Sequence, residues 1–397
     1  MLLYLYILYR LFMYYVGLAS YVCTVKSICT RVSQANIFYV KVFQWFTQTA
    51  CQDVEELRPY FNAFKNNVAY TDEDIDYDSL IALRRIAREN QSHFTIESYS
   101  PINSGTVALI FKGTLNGKPV IIKIKRKNIY AKLDEMFKNV IRLQYFTRIN
   151  IAAMLNDVRD AFFAQLDFDQ EVQNISLFYQ KYRLNTKIII PKVYPEFTAV
   201  NDKLIVMDSL VRYDQKLWTP AESRIYCRLF TKFIVSSYFL KEIYHGDLHQ
   251  GNIVFMKTNG VYTIGIIDFG VVGHLDLENQ NFIYNLFVAF PKNNYVTVIN
   301  LFTDYVFKSN NNTDAELKAR VTKDMLLAVE KSKSTDVQQL THNHIYHFLS
   351  IKKYGLVCSQ NFHQFLFSLL SMTDTMKSLM SPDKNDNTLF DILNLVD

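Results

Sequence analysis

The residues with the greatest chemical capacity lie in two short stretches, His245-Gly246-Asp247-Leu248-His249-Gln250-Gly251-Asn252 and Asp268-Phe269-Gly270. Asp247 can orient an attacking hydroxyl and accept its proton. Asn252, five residues on, and Asp268 offer an amide oxygen and a carboxylate. Such oxygens suit a hard cation like Mg2+ that keeps some of its waters. Gly270, after Phe269, lets the backbone turn so that Asp268 points inward. The set has the pattern of a phosphoryl-transfer site working on Mg2+ and ATP. An Asp and an Asn at this spacing mean little by themselves. His245 ahead of them, and the apolar Ile266-Ile267 ahead of Asp268, weigh against a plain polar turn between strands.

Several elements must position these residues. A helix over 221–244 is expected to end just before His245, and short strands at 253–255 and 262–267 flank the turn 257–260. Upstream, 94–99, 107–115 and 119–125 read as strands. They are joined by the turn 101–106 and by Asn116-Gly117, a favoured tight hairpin turn. Val120-Ile121-Ile122-Lys123 places a lysine in an apolar run, where an unpaired charge is expensive. Lys125 has the same parity. Lys123 is preferred because it closes the run, whereas Lys125-Arg126-Lys127 reads as the start of a basic, solvated turn. Residues 128–181 read as helical throughout, and Glu171 is the natural partner for Lys123. Strands are expected again at 187–190, 193–197 and 203–207. Met207-Asp208-Ser209-Leu210 reads as a connection whose backbone groups can pair with adenine.

The 397 residues suffice for two lobes with real cores, and 49% hydrophobic content argues against disorder. A net charge of +5 is too mild to argue for nucleic acid, so no such partner is expected. The five cysteines are scattered without a Cys-x-x-Cys pair. That speaks against disulfides or zinc and for a reducing, intracellular compartment. His342, His344 and His347 lack a common face and a fourth ligand. Asp72-Glu73-Asp74-Ile75-Asp76 reads as a solvated, acidic helix start rather than a metal site.

Residues 1–25 are apolar apart from Arg10, a run long enough to cross a bilayer. Its six tyrosines suit an interfacial, membrane-associated segment as well. A helix packed on the protein itself is the alternative. Between 33 and 50, Phe38, Val42, Trp45 and Phe46 are spaced like one helical face, and 52–92 holds two further helical patterns.

These motifs, in this order, resemble the UbiB-type, AarF-domain-containing (ADCK-type) atypical kinases. Pro101 through Ala108 is similar to the family's small-residue loop, and Val120-Ile121-Ile122-Lys123 to its lysine strand. Leu166-Asp167-Phe168 with Glu171 and Asn174, after a long helical insert, resembles its helix motif. His245 through Asn252 is similar to its His-x-Asp-Pro-His-Pro-Gly-Asn. Departures are Leu248 and Gln250 for the two prolines, Gly105 where the family's loop is Ala-rich, and Gln165 for a carboxylate. Of the family's Lys-x-Gly-Gln, the best offset keeps only Lys65.

The resemblance implies an α+β fold, two-lobed and protein-kinase-like. An apolar segment (1–27) and an N-terminal helical extension (28–93) would precede an N-lobe (94–210) with the long insert and a helical C-lobe (211–397). It also implies a Mg2+-ATP-dependent ATPase or phosphotransferase linked to isoprenoid-lipid or ubiquinone metabolism. Lys123 would meet the α/β-phosphates and Glu171 would hold it. Ser104, Gly105, Thr106, Val107 and Met207 would line the nucleotide, Asp247 would act on the nucleophile, and Asn252 and Asp268 would bind Mg2+. The phosphate acceptor, whether protein, lipid, small molecule or water, stays open. The catalytic loop is also similar to that of aminoglycoside and choline phosphotransferases. A nucleotide-binding scaffold without turnover is the reading from a different class.

Overall fold

The computed structural model of the protein describes residues 2–39, 68–143, 159, 162–289, 295–331, 350–356 and 360–379. They form two units, Met1–Ser176 with Pro191–Ser209, and Leu177–Ile190 with Leu210–Asp397.

In the first unit the apolar N-terminus is not one long helix. Helix α1 (Leu2–Tyr15) stops where Gly17 takes a φ of 76°. The Gly17 N–H bonds to Tyr14 O at 3.0 Å and the Leu18 N–H to Met13 O at 2.9 Å. This pair of bonds, with a left-handed glycine, is how helices commonly end. Helix α2 (Tyr21–Ala35) restarts under the Ser20 hydroxyl and packs back on α1, with the Tyr14 and Tyr21 rings edge to face. At 14 residues α1 is about 21 Å long, short of a hydrocarbon core of about 30 Å. Among the described residues no helix is long and apolar enough to cross a membrane. Residues 1–25, an apolar run long enough to cross a bilayer, are therefore two helices broken at Gly17 rather than one spanning helix.

Asp76 caps α3 (Tyr77–Glu89) by accepting from Ser79 N at 3.2 Å. Strands β1 (Phe94–Ile96), β2 (Asn103–Ser104), β3 (Ala108–Leu115) and β4 (Lys118–Lys125) follow. Asn116 and Gly117 take φ of 51° and 77° and close β3 onto β4 with Leu115 opposite Lys118. Two left-handed residues make a type I′ turn, whose twist matches that of the flanking strands. Helix α4 (Ile129–Leu143) precedes α5 (Phe168–Tyr182), and β5 (Ile188–Ile189) belongs to the second unit. The expected unbroken helix over 128–181 is interrupted, since Gln165 and Leu166 form a turn ahead of α5. The strand expected at 193–197 is instead the start of α6 (Pro195–Val200), because Pro195 presets the first helical φ. Val193 makes one isolated bridge to Met207 on β6 (Leu204–Asp208).

The first unit's sheet runs β1-β3-β4-β6, antiparallel, with β2 on β3. Val120, Ile122 and Ile124 of β4 point into one core with Leu80, Leu83 and Ile86 of α3 and with Phe111, Leu204 and Val206. Period-two alternation then puts Lys123 and Lys125 on the opposite face.

The second unit carries a three-stranded sheet, β5-β9-β8, and a two-stranded one, β10-β7. Helix α7 (Pro220–Val235) begins in a reciprocal cap. Thr219 Oγ1 accepts from Glu222 N at 3.3 Å, and Thr219 N donates to Glu222 Oε2 at 2.7 Å. It passes into a π-helical turn, Ser236–Leu240, so the helix expected to reach 244 ends early and β7 (Ile243–His245) follows. Strands β8 (Ile253–Thr258) and β9 (Val261–Ile266) form a hairpin, and β10 (Val272–His274) pairs with β7. Helices α8 (Leu277–Ala289), α9 (Tyr295–Ser309), α10 (Ala315–Lys331) and α11 (Gln360–Leu379) complete the unit. Val42, Trp45, Phe46, His342, His344 and His347 lie outside the described residues, as do the insert at 144–158 and the first of the two helical patterns expected within 52–92.

Candidate active site

β7 delivers His245 into the second unit's interior, where it is 2% exposed. Its Nδ1 accepts the Asp247 N–H at 3.2 Å, which leaves Nε2 protonated to donate to the Asp268 carbonyl. Burial holds this imidazole below its ordinary pKa, consistent with the neutral ring these bonds require. One side chain thus ties the backbone of Asp247 to that of Asp268. Gly246, between His245 and Asp247, lets the chain run against Val271, since a Cβ there would sit 2.3 Å from Val271 Cγ1.

The loop closes on itself. Asn252 Nδ2 donates to Asp247 O at 2.8 Å and the His249 N–H to the same carbonyl at 3.1 Å. With Nδ2 committed to that bond, the amide oxygen is the half of the side chain left to accept. Asp268 Oδ1 accepts from Gly270 N at 3.1 Å. Phe269 is buried beside the Phe178 ring, centroids 4.9 Å apart. The two departures from the family's prolines have local roles. Leu248 is buried with its carbonyl accepting from Thr375 Oγ1 at 3.1 Å, and Gln250 bonds Gln215. Ser368 Oγ of α11 also donates to His245 O at 2.7 Å. The two braces from α11, Ser368 and Thr375, come from more than a hundred residues away in sequence, and the apolar pattern of α11 carries no sign of them.

In the first unit, Lys123 Nζ meets both Glu171 oxygens, at 2.7 and 2.8 Å. The lysine side chain is 10% exposed and the glutamate 1%. α5 supplies Glu171 in its first turn, and Asp167 Oδ1 accepts the Gln170 N–H at 2.9 Å to start it. The Phe168 ring lies 5.4 Å from Lys123 Nζ and 4.9 Å from Lys125 Nζ. The expectation of a solvated turn from Lys125 is corrected. Lys125 and Arg126 are both buried, and exposure begins at Lys127. The acidic stretch at 72–76 does start α3 through the Asp76 cap, with Asp72 and Glu73 exposed, but Asp74 and Asp76 are buried and ion-paired rather than solvated.

Among the nucleotide candidates, Gly105 is exposed and its N–H turns back to Ala108 O at 2.9 Å. Ser104, Thr106 and Val107 are buried, and the Ser104 hydroxyl accepts from Arg126 Nη2 at 2.6 Å. Met207 is buried in β6 opposite Ile121. Beyond it the Asp208 and Ser209 N–H groups already bond to Lys192 O and Pro119 O. Those two donors are spent within the first unit rather than offered to adenine.

A family model for the ABC1 atypical kinase-like domain matches residues 73–302, more than half of the chain. The chain belongs to the ABC1 atypical kinase-like family. Its α+β fold with a helical C-terminal region is accordingly protein-kinase-like. Curated relatives include the probable protein kinase UbiB of Shewanella sp. (strain W3-18-1), 24% identical over 57% of this chain. The probable protein kinase UbiB of Shewanella oneidensis is 24% identical over 56%. The chain spans less than half the length of these relatives, 45% and 44%. Among solved structures, the Rv3197–erythromycin complex from Mycobacterium tuberculosis aligns at TM-score 0.45 and 14% identity, over 82% of this chain and 85% of that one. The Rio2 kinase–ADP/Mg2+–phosphoaspartate complex from Chaetomium thermophilum aligns at TM-score 0.34 and 11% identity, over 74% and 75%.

Proposed function

We propose that this ABC1-family chain binds Mg2+-ATP and turns it over as an atypical kinase-like ATPase or phosphotransferase. The observation that carries the reading is the buried Lys123–Glu171 pair, with one ammonium held between two carboxylate oxygens. Burying such a pair is rarely the most stable solution for a core. It does hold a positive charge at a fixed point, which is what α/β-phosphates require. Asp247 would orient the nucleophile and take its proton. Gly105 and its neighbours would cover the phosphates, and Met207 would pack on the adenine.

The donor set fits Mg2+. Asn252 and Asp268 give one amide oxygen and one carboxylate. Among the described residues no group of three His, Cys, Asp or Glu could hold a metal. Two protein oxygens are what Mg2+ takes when waters and phosphates fill its other positions. Bound there, it would neutralise phosphate charge. Calorimetric titration tests this: ATP binding should need Mg2+ in the parent, and Asp268→Asn should erase that dependence. Equal ATP affinity with and without Mg2+ in the parent would refute the assignment.

The family resemblance extends the proposal to isoprenoid lipids or ubiquinone metabolism, with the acceptor unassigned. An aminoglycoside- or choline-type acceptor is disfavoured by the Leu166–Asn174 motif, whose Glu171 is paired as described. A lipid surface is the partner that α1 suits. Leu8 and Phe12 are 62% and 59% exposed, and no carboxylate precedes Asp53 while Arg10, Lys26, Arg31 and Lys41 do. Such a helix lies in a bilayer interface rather than across it. The full chain should co-sediment with vesicles containing anionic lipid, and Leu8→Asp/Phe12→Asp should lower the bound fraction about tenfold or more. Equal sedimentation of the two would remove the lipid partner.

A further inference from the structure

Arg126 is a fully buried arginine, its side chain 0% exposed. Its donors are divided between two segments of the first unit. Toward the turn after β2, Nε donates to Gly105 O at 2.9 Å and Nη2 to Ser104 Oγ at 2.6 Å. Toward the segment before α3, Nη2 also reaches Ala69 O at 3.2 Å, and Nη1 lies 2.8 Å from Asp74 Oδ2. The backbone repeats the connection. The Val68 N–H bonds to Ser104 O at 2.8 Å, the Lys127 N–H to Asp74 O at 2.9 Å, and the Arg126 N–H to Val107 O at 2.9 Å.

Asp74 is itself held from three sides. Its Oδ2 accepts the Thr71 N–H at 3.0 Å, its Oδ1 meets Lys132 Nζ at 2.5 Å, and Arg126 takes the remaining approach. Burial alone would raise its pKa, but the bonds from Lys132 and Thr71 and the Arg126 charge hold it below the usual carboxylate range. The carboxylate is therefore charged wherever the latch is in use.

Stability does not call for a guanidinium here, since buried ion pairs are often matched or bettered by apolar packing. Geometry does. A planar fork can hold four acceptors on two segments at fixed angles, and a lysine cannot. We propose that Arg126 and Asp74 form a latch by which residues 68–76 set the position of the Ser104–Val107 turn, making both of them positioning residues for the nucleotide's phosphates. The phosphate part rests on the nucleotide reading above. The positional part does not.

The test uses the full-length chain, Asp74→Asn and Ser104→Ala. Hydrogen exchange without nucleotide reads the turn directly. Each variant should speed exchange at Val68 and Gly105 about tenfold or more, the scale of one lost charge-assisted bond, with the β3–β4 amides from Phe111 to Ile122 unchanged. Titration with Mg2+-ATP and with adenosine reads the consequence. ATP affinity should fall about tenfold, again one such bond, while adenosine affinity holds. Unchanged exchange at Val68 and Gly105, or exchange raised across the whole sheet, overturns the latch. Equal weakening of ATP and adenosine overturns the phosphate role. If the parent binds no ATP, the nucleotide reading fails and the exchange pattern alone decides the latch. Ser104→Ala leaves the Asp74–Arg126 pair in place, so a folding failure of Asp74→Asn still leaves a decisive variant.

Discussion

Asp247→Asn should lower ATP turnover by about 10²–10⁴-fold, the usual contribution of a positioned proton acceptor. Mg2+-ATP binding should persist, because Asp247 is not assigned to the metal. The substitution is nearly isosteric, and the loop is built to tolerate it. The Asp247 backbone is held by His245 at its N–H and by Asn252 and His249 at its carbonyl, while the side chain is 40% exposed. Nothing in that scaffold depends on the carboxylate. His249 Nε2, 3.9 Å from Asp247 Oδ2, is the neighbour best placed to respond to its charge. Steady-state kinetics beside a binding titration separate the two effects. Turnover equal to the parent's would show that another group meets the nucleophile.

Glu171→Ala should destabilise the first unit by about 3–5 kcal/mol, the usual cost of breaking a buried ion pair by removing one member. The pair is shielded on both sides, with Lys123 Nζ 5.4 Å from the Phe168 ring and Glu171 1% exposed. Replacing both partners with methionine removes both charges from the site. Lys123→Met/Glu171→Met should then recover most of the stability, to within about 2 kcal/mol of the parent, and still fail to bind ATP. Denaturant unfolding and ATP titration on the three variants make the comparison. A double variant that binds ATP like the parent would mean that the pair serves folding and nothing else.

Much of this architecture was legible in the sequence because short-range signals carry it. Asn116-Gly117 announces a two-residue hairpin, and alternation along Val120-Ile121-Ile122-Lys123 puts the lysine on the face away from the core. His245 through Asn252 and Asp268 through Gly270 could be found by residue type and spacing. What was missed lies at longer range. Arg126 looked solvated because its neighbours are charged; it is buried by partners at Ala69, Asp74, Ser104 and Gly105. Gly17 was readable as a helix stop, but the continuous apolar run around it masked the signal. The Pro195 helix start was overridden by the β-branched and aromatic character of Val193 and Phe197. The use of the Asp208 and Ser209 N–H groups by Lys192 and Pro119 depends on sheet register. Residue types alone do not encode it.

The central claim is that this chain moves the γ-phosphate of ATP. Purified full-length protein with γ-labelled ATP and Mg2+, with and without vesicles containing anionic lipid, tests it most directly when run beside Asp268→Asn. The parent should release label as phosphate or transfer it to an acceptor, more so with vesicles, and the variant should do neither. Parent protein that binds Mg2+-ATP and leaves the label on the nucleotide in every arm would contradict it and leave a nucleotide-binding scaffold in its place.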